Sequence, residues 1–289
     1  MRGMKHQPLI GSAELDALQR SEPERVIVFD CSFELLQPKA GRALHEAAHL
    51  PGAHYLHLDE DLSALPNGRN GRHPLPARAA FAAAMAARGV GEDSRVIVYD
   101  GVGNAYAARA WWMLRWIGHA DVAVLDGGLA AWQAAGLPIA QGPTAPATAR
   151  TLPPRPALVA AVDRETLLAN LDGGPLLVLD GRSNERFTGA NDTIEKVVGH
   201  IPGSRNRFFR DNLDESGCFK AGARLRAEFE ALTQRHPTAQ LVMSCGSGVT
   251  ACHNLLALEL AGLQGAALYP GSWSEWSSWP GAPVALGDD

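Results

Sequence analysis

The sequence predicts two tandem α/β domains, each a mainly parallel sheet covered by helices on both faces. Three observations predict this. The 289 residues exceed the usual size of one compact domain. Blocks of the first half recur in the same order in the second. Within each half, short apolar runs alternate with segments of helical periodicity.

The repeat is the most informative feature. Val26-Ile-Val-Phe-Asp30 is matched by Leu176-Leu-Val-Leu-Asp180, and His49-Leu-Pro-Gly-Ala53 by His200-Ile-Pro-Gly-Ser204. Leu58 to Ser63 loosely echoes Asp211 to Ser216. Arg95-Val-Ile-Val-Tyr-Asp100 pairs with Gln240-Leu-Val-Met-Ser-Cys245, and Leu125 to Trp132 with Tyr269 to Trp276. Matched blocks in one order imply a duplicated domain. Residues 141–157 are rich in Pro, Ala and Thr without hydrophobic periodicity, which reads as an extended linker. The expected first domain spans 5–140 and the second 158–285.

The runs 26–29, 96–99, 176–179 and 241–243 read as strands buried on both faces. Apolar residues at helical spacing predict helices over Ala77 to Arg88, Ala105 to Ile117, Asp163 to Asn170, Leu225 to Arg235 and Thr250 to Ala261.

Composition narrows the function. Hydrophobic residues make up 46% and charged residues 20%, the balance of a globular protein. The net charge of −5 and the lack of a dense Lys or Arg run argue against a nucleic-acid partner. Neither a signal peptide nor a membrane span is read, so a cytoplasmic protein with a small-molecule substrate is expected. The four cysteines have neither disulfide-scaffold nor zinc spacing and are expected to be free thiols.

Cys245 stands apart from Cys31, Cys218 and Cys252. It ends a strand, and Gly246, Ser247 and Gly248 separate it from a helix starting near Thr250. Glycines let successive N–H groups curl towards one atom, and the helix terminus adds positive potential. That setting favours a thiolate nucleophile. A small buried hydrophobe at a strand end is the plainer alternative. A cysteine phosphatase would need Arg six residues after the nucleophile, where Ala251 stands.

Asp180-Gly-Arg182, Gly199-His-Ile-Pro-Gly203, Cys245-Gly-Ser-Gly-Val-Thr250 and Gly271-Ser-Trp-Ser-Glu-Trp276 together resemble the two-domain rhodanese-type sulfurtransferases over nearly the whole chain. The Cys245 loop is similar to that of the 3-mercaptopyruvate sulfurtransferases, whereas thiosulfate-using relatives typically carry charged residues after the Cys. The resemblance implies that only the second half is catalytic. The first half has Asp100 where the second has Cys245, and a carboxylate cannot carry sulfur.

It further implies that Cys245 takes sulfur from 3-mercaptopyruvate as a persulfide, releasing pyruvate, with no metal or organic cofactor. The acceptor would be a thiol such as thioredoxin, a low-molecular-weight thiol, or cyanide. Loop residues Gly246, Gly248, Val249 and Thr250 would hold the persulfide, and Arg186 would grip the substrate carboxylate. Arg182 either joins Arg186 or pairs with a carboxylate of the fold. A relay of Ser247, His73 and Asp59 would polarise the substrate, with Asp61 an alternative to Asp59. Thiosulfate as donor and a non-catalytic rhodanese-like module are the alternatives. One departure bears on the donor: a second carboxylate-binding Arg often precedes the Gly-His-Ile-Pro-Gly block, but residues 189–198 offer only Lys196 as a cation. His49, His200, Trp132 and Trp276 recur in both halves and read as structural.

Overall fold

A computed structural model describes residues 7–234 and 236–287. Residues 5 and 6 of the expected first domain, and Arg235 at the end of an expected helix, lie outside the described residues.

The chain forms two compact units. The first comprises residues up to Ser63, Pro76–Leu158 and Ser216–Cys218; the second comprises Ala64–Leu75, Val159–Glu215 and the residues from Phe219 on. In the first unit the elements run β1 (Leu9–Ile10), α1 (Ser12–Ser21), β2 (Val26–Asp30), α2 (Ala40–Ala47), β3 (His54–Tyr55), α3 (Arg78–Ala87), β4 (Arg95–Tyr99), α4 (Ala107–Trp116), β5 (Val122–Leu125) and α5 (Gly128–Ala134). The second unit repeats the alternation with β6 (Ala160–Ala161), α6 (Arg164–Asn170), β7 (Leu177–Asp180), α7 (Asn184–Thr188), β8 (Arg205–Asn206), α8 (Gly222–Thr233), β9 (Leu241–Ser244), α9 (Ala251–Leu260), β10 (Ala267–Leu268) and α10 (Ser272–Trp276).

Both sheets are parallel and share one strand order, β1-β5-β4-β2-β3 and β6-β10-β9-β7-β8. The central registers also correspond: Asp30 lies opposite Tyr99, and Asp180 opposite Ser244. Every residue of β7 and β9 is buried, so helices cover both faces of the second sheet. The core repeats as well. Val28, Ile97 and Trp132 in the first unit answer to Val178, Val242 and Trp276 in the second.

The repeated histidines and tryptophans hold these cores. His49 exchanges two backbone hydrogen bonds with Ala140, and His200 exchanges two with Ala285. Trp132 and Trp276 are buried, and each indole N–H donates at 2.8 Å to a proline carbonyl, of Pro138 and Pro283 respectively. Residues 141–157 form no helix or strand. Their backbone runs along the first unit, where the Arg150 N–H donates to Ala86 and that of Arg155 to Ile117.

Helix α8 begins at Gly222, a turn ahead of the expected Leu225; Gly222 packs against the Leu260 carbonyl at the end of α9, where a Cβ would strike it. No helix among the described residues is long and apolar enough to cross a membrane.

Candidate active site

In each sheet the strand order reverses at the centre. The chain runs outwards from β7 to β8 on one side and from β9 to β10 on the other. Ligands of such sheets bind beyond the carboxyl ends of the strands flanking this point. The loops that follow β9 and β7 carry Cys245 and Arg182, and α7, beyond the second of these loops, carries Arg186.

Cys245 directly follows β9 and is 2% exposed. Its backbone is fixed on both sides: its N–H donates to the Ser272 hydroxyl at 3.0 Å, and its carbonyl accepts the Trp273 N–H at 2.9 Å. Ser272 holds this position at a left-handed φ of +51°, which is strained for a residue with a side chain. Gly248 turns the loop at φ +75°, and a Cβ there would run into the Pro270 carbonyl. Val249 is buried, and Thr250 caps α9. All four cysteines are free. Cys252 lies fully buried inside α9, its thiol on the Gly248 carbonyl, and burial pushes the Cys31 thiol well up, so neither is a ready nucleophile.

The first unit shows how such a loop holds a carboxyl group. After β4, the Asp100 carboxylate accepts N–H bonds from Val102 and Asn104 on one oxygen, each at 2.8 Å, and from Tyr106 at 2.8 Å and Ala107 at 3.0 Å on the other. Gly103 turns that loop at φ +75°, the same value as Gly248 at the matching place. The first copy fills its nest with its own carboxylate; Cys245 stands at the matching position of the second.

Ser247 and His73 meet. The Ser247 hydroxyl lies 2.7 Å from Nδ1 of His73, and both side chains are buried. His73 is therefore no exposed loop histidine. It belongs to Ala64–Leu75, a segment packed within the second unit. There Gly71, at φ +81°, lies so close to the Gly271 carbonyl that a Cβ would sit 2.8 Å from it, and the Arg72 N–H donates to Ser274 Oγ at 3.0 Å.

Asp59 lies in the first unit, after β3, where its N–H donates to His57 Nδ1 at 3.1 Å and partial burial pushes its carboxyl up. Asp61 is engaged within that unit by the His57 N–H and by Arg88.

The two arginines after β7 differ. Arg182, only 2% exposed, donates Nε and Nη2 to the Asp180 carboxylate at 2.8 to 3.1 Å, and Nη2 also to the Gly199 carbonyl. This geometry favours the reading of Arg182 as a partner of a carboxylate in the fold. Arg186 projects from α7 with Nε 3.1 Å from Asp192 and its side chain 21% exposed. Its Nη2 and Nη1 would lie 3.4 and 3.6 Å from a Cβ on Gly246, next to the thiol.

A further guanidinium shares that place. Arg72 Nη2 lies 3.1 Å from the same point on Gly246, and Arg72 ion-pairs with Glu195. Burial pushes its guanidinium down, Arg186 adds to that, and Cys245 pulls the other way. No motif in the sequence marks Arg72. Its only local signal was adjacency to His73. Lys196 is exposed, and the three atoms nearest that point on Gly246 belong to Arg72 and Arg186.

A family model described as the rhodanese-like domain matches residues 13–135 and 163–278. The chain belongs to the rhodanese family. It is 46% identical over 281 residues to a probable 3-mercaptopyruvate sulfurtransferase of Pseudomonas aeruginosa, covering 96% of this chain and 98% of the relative. It is 35% identical to a thiosulfate sulfurtransferase of Bos taurus, covering 86% and 84%. Among solved structures, a 3-mercaptopyruvate sulfurtransferase from Leishmania major superposes with a TM-score of 0.84 at 28% identity, over 98% of this chain and 78% of that one. Both rhodanese domains of this chain share the parallel five-stranded sheet flanked by helices.

Proposed function

We propose that this sulfurtransferase takes sulfur from 3-mercaptopyruvate onto Cys245 and passes it to a thiol or to cyanide. The observation that carries the donor is the pair of guanidinia, Arg186 and Arg72, flanking uncharged Gly246 beside the thiol. A small keto acid bears its carboxylate and its sulfur a few bonds apart, which suits a cation pair next to a nucleophile.

In the first half-reaction the Cys245 thiolate attacks the donor sulfur, the carbon–sulfur bond breaks, and its electron pair passes to the carbon as pyruvate enolate. The donor's thiol proton ends on that carbon, leaving pyruvate and a Cys245 persulfide anion. In the second, an acceptor thiolate or cyanide attacks the outer sulfur and restores the thiolate. The loop from Gly246 to Thr250 holds the persulfide, as the Asp100 loop holds its carboxylate. The Ser247–His73 pair supports proton handling at the enolate. Asp59 remains the sequence's candidate for the relay's third member. Thioredoxin or a low-molecular-weight thiol in the cytoplasm fits as acceptor.

Thiosulfate is the second reading, favoured by the similarity to the Bos taurus enzyme. Turnover of 3-mercaptopyruvate and of thiosulfate, with cyanide as acceptor, separates the two. Cys245→Ser is expected to abolish both activities; equal activity in that variant would sink the persulfide mechanism, and a wild-type preference for thiosulfate would sink the donor.

A further inference from the structure

We propose that Arg69 and Trp279 are positioning residues: the Arg69 guanidinium, resting on the Trp279 ring, seats the loop of residues 64–75 so that His73 meets Ser247. The proposal rests on the Ser247–His73 reading above and adds what holds that pair together.

The loop belongs to the second unit and is closed at its neck, where the Ala64 N–H donates to the Pro74 carbonyl at 2.8 Å. It contains no helix or strand, and its adjoining ends make it an Ω loop. Its tip is braced from within. Asn70 Oδ1 accepts the Asn67 N–H at 2.8 Å, Asn67 Oδ1 accepts the Arg69 N–H at 2.9 Å, and Gly68 supplies the turn at φ +86°.

Apolar burial does not hold this tip down. Residues 65–69 are exposed, and the side chain of Leu65 is turned out, 88% exposed. Arg69 reaches across instead, its guanidinium 5.2 Å from the centre of the Trp279 ring, within the range of a cation–π contact. Trp279 is a fixed platform. It lies just beyond α10, where its N–H donates to the carbonyl of buried Trp276 and its own carbonyl accepts the Ala282 N–H, and Arg164 of α6 lies 4.5 Å from its ring centre.

The start of α10 carries the other seats of the loop: Ser274 Oγ takes the Arg72 N–H, and Gly71 packs on the Gly271 carbonyl. These contacts lie between Arg69 at one end and His73 at the other. Without the Arg69 contact that stretch is held from one end only, and Nδ1 of His73, 2.7 Å from the Ser247 hydroxyl, loses its alignment. Displacements of an ångström or less at such a pair are costly in rate.

Arg69→Gln, Arg69→Lys and Trp279→Leu in the full chain test this. Arg69 is exposed, so its variants are expected to fold. With 3-mercaptopyruvate as donor and cyanide as acceptor, Arg69→Gln and Trp279→Leu should each lower kcat about three- to tenfold with KM little changed. Arg69→Lys keeps a cation over the ring and should recover most of the loss. In a His73→Ala background neither Arg69→Gln nor Trp279→Leu should cost anything further. Hydrogen exchange of the backbone N–H groups of residues 70–73, read by mass spectrometry, should quicken about threefold or more in Arg69→Gln.

Losses that multiply with that of His73→Ala, or an equal loss in Arg69→Lys and Arg69→Gln, overturn the positioning role. Unchanged exchange at residues 70–73 in Arg69→Gln overturns it whatever the rates. A His73→Ala variant that turns over 3-mercaptopyruvate like the wild type removes the relay reading instead, and exchange alone then decides whether Arg69 seats the loop. Should Trp279→Leu fail to fold by circular dichroism, the two Arg69 variants decide the matter.

Discussion

The hydroxyl of Ser247 and the imidazole of His73 touch at 2.7 Å, so neither acts alone. Removing either breaks the same bond. His73→Ala and Ser247→Ala should each lower kcat with 3-mercaptopyruvate by about tenfold or more, and the double variant should be no worse than the weaker single one. Thiosulfate releases sulfite without needing a proton on carbon, so its turnover should fall far less; equal loss with both donors would assign the pair to folding. At this scale Cys245, Ser247 and Arg186 could be picked out as candidates, since a glycine loop and a strand-end block mark them locally. Arg72 was not, because nothing beside it in sequence reveals that it faces Gly246.

At the scale of elements, the loops after β4 and β9 are two answers to one geometry. Asp100 stands where Cys245 stands, and burial pushes its carboxyl above the usual range while N–H bonds from Ala107, Val102, Tyr106 and Asn104 pull against that. Asp100→Asn would turn an amide N–H towards donors that now meet oxygen. It should destabilise the protein by on the order of 3 kcal/mol in urea unfolding. An unchanged midpoint would remove the carboxylate's role as the filling of the nest. The long elements β2, β4, β7, β9, α3, α4 and α9 were legible because each spans enough residues for periodicity or an unbroken apolar run. β1, β3, β6, β8 and β10 have two residues each, too few to express a period, and they exist because a neighbouring strand pairs with them.

Across the whole molecule, duplication left two similar cores with different polar supports. In the second unit Glu228 gathers Arg207, Lys220 and Arg224 at 2.7 to 3.0 Å. Burial pushes its carboxyl up, but the hydrogen bonds from Arg207, Lys220 and Arg224 prevail and bring it down to about 2. Because the folded value lies below the unfolded one, near 4.3, the stabilisation is full above that pH and is lost as pH falls towards 2. Glu228→Gln should therefore lower Tm at pH 7, with the gap to wild type closing between about pH 4.5 and 2; a gap independent of pH would exclude the charge as its source.

The repeat and the α/β alternation were written in the sequence, and so was the candidate nucleophile Cys245, since each is a pattern among near neighbours or between aligned blocks. Only the tertiary structure decided that Ala64–Leu75 packs within the second unit and that Arg72 and His73 thereby join Gly246 and Ser247. That segment has no hydrophobic period to announce its place. Its position is set by the Gly71 contact on Gly271 and the Arg72 bond to Ser274, which form only once the distant residues of α10 have folded beside it.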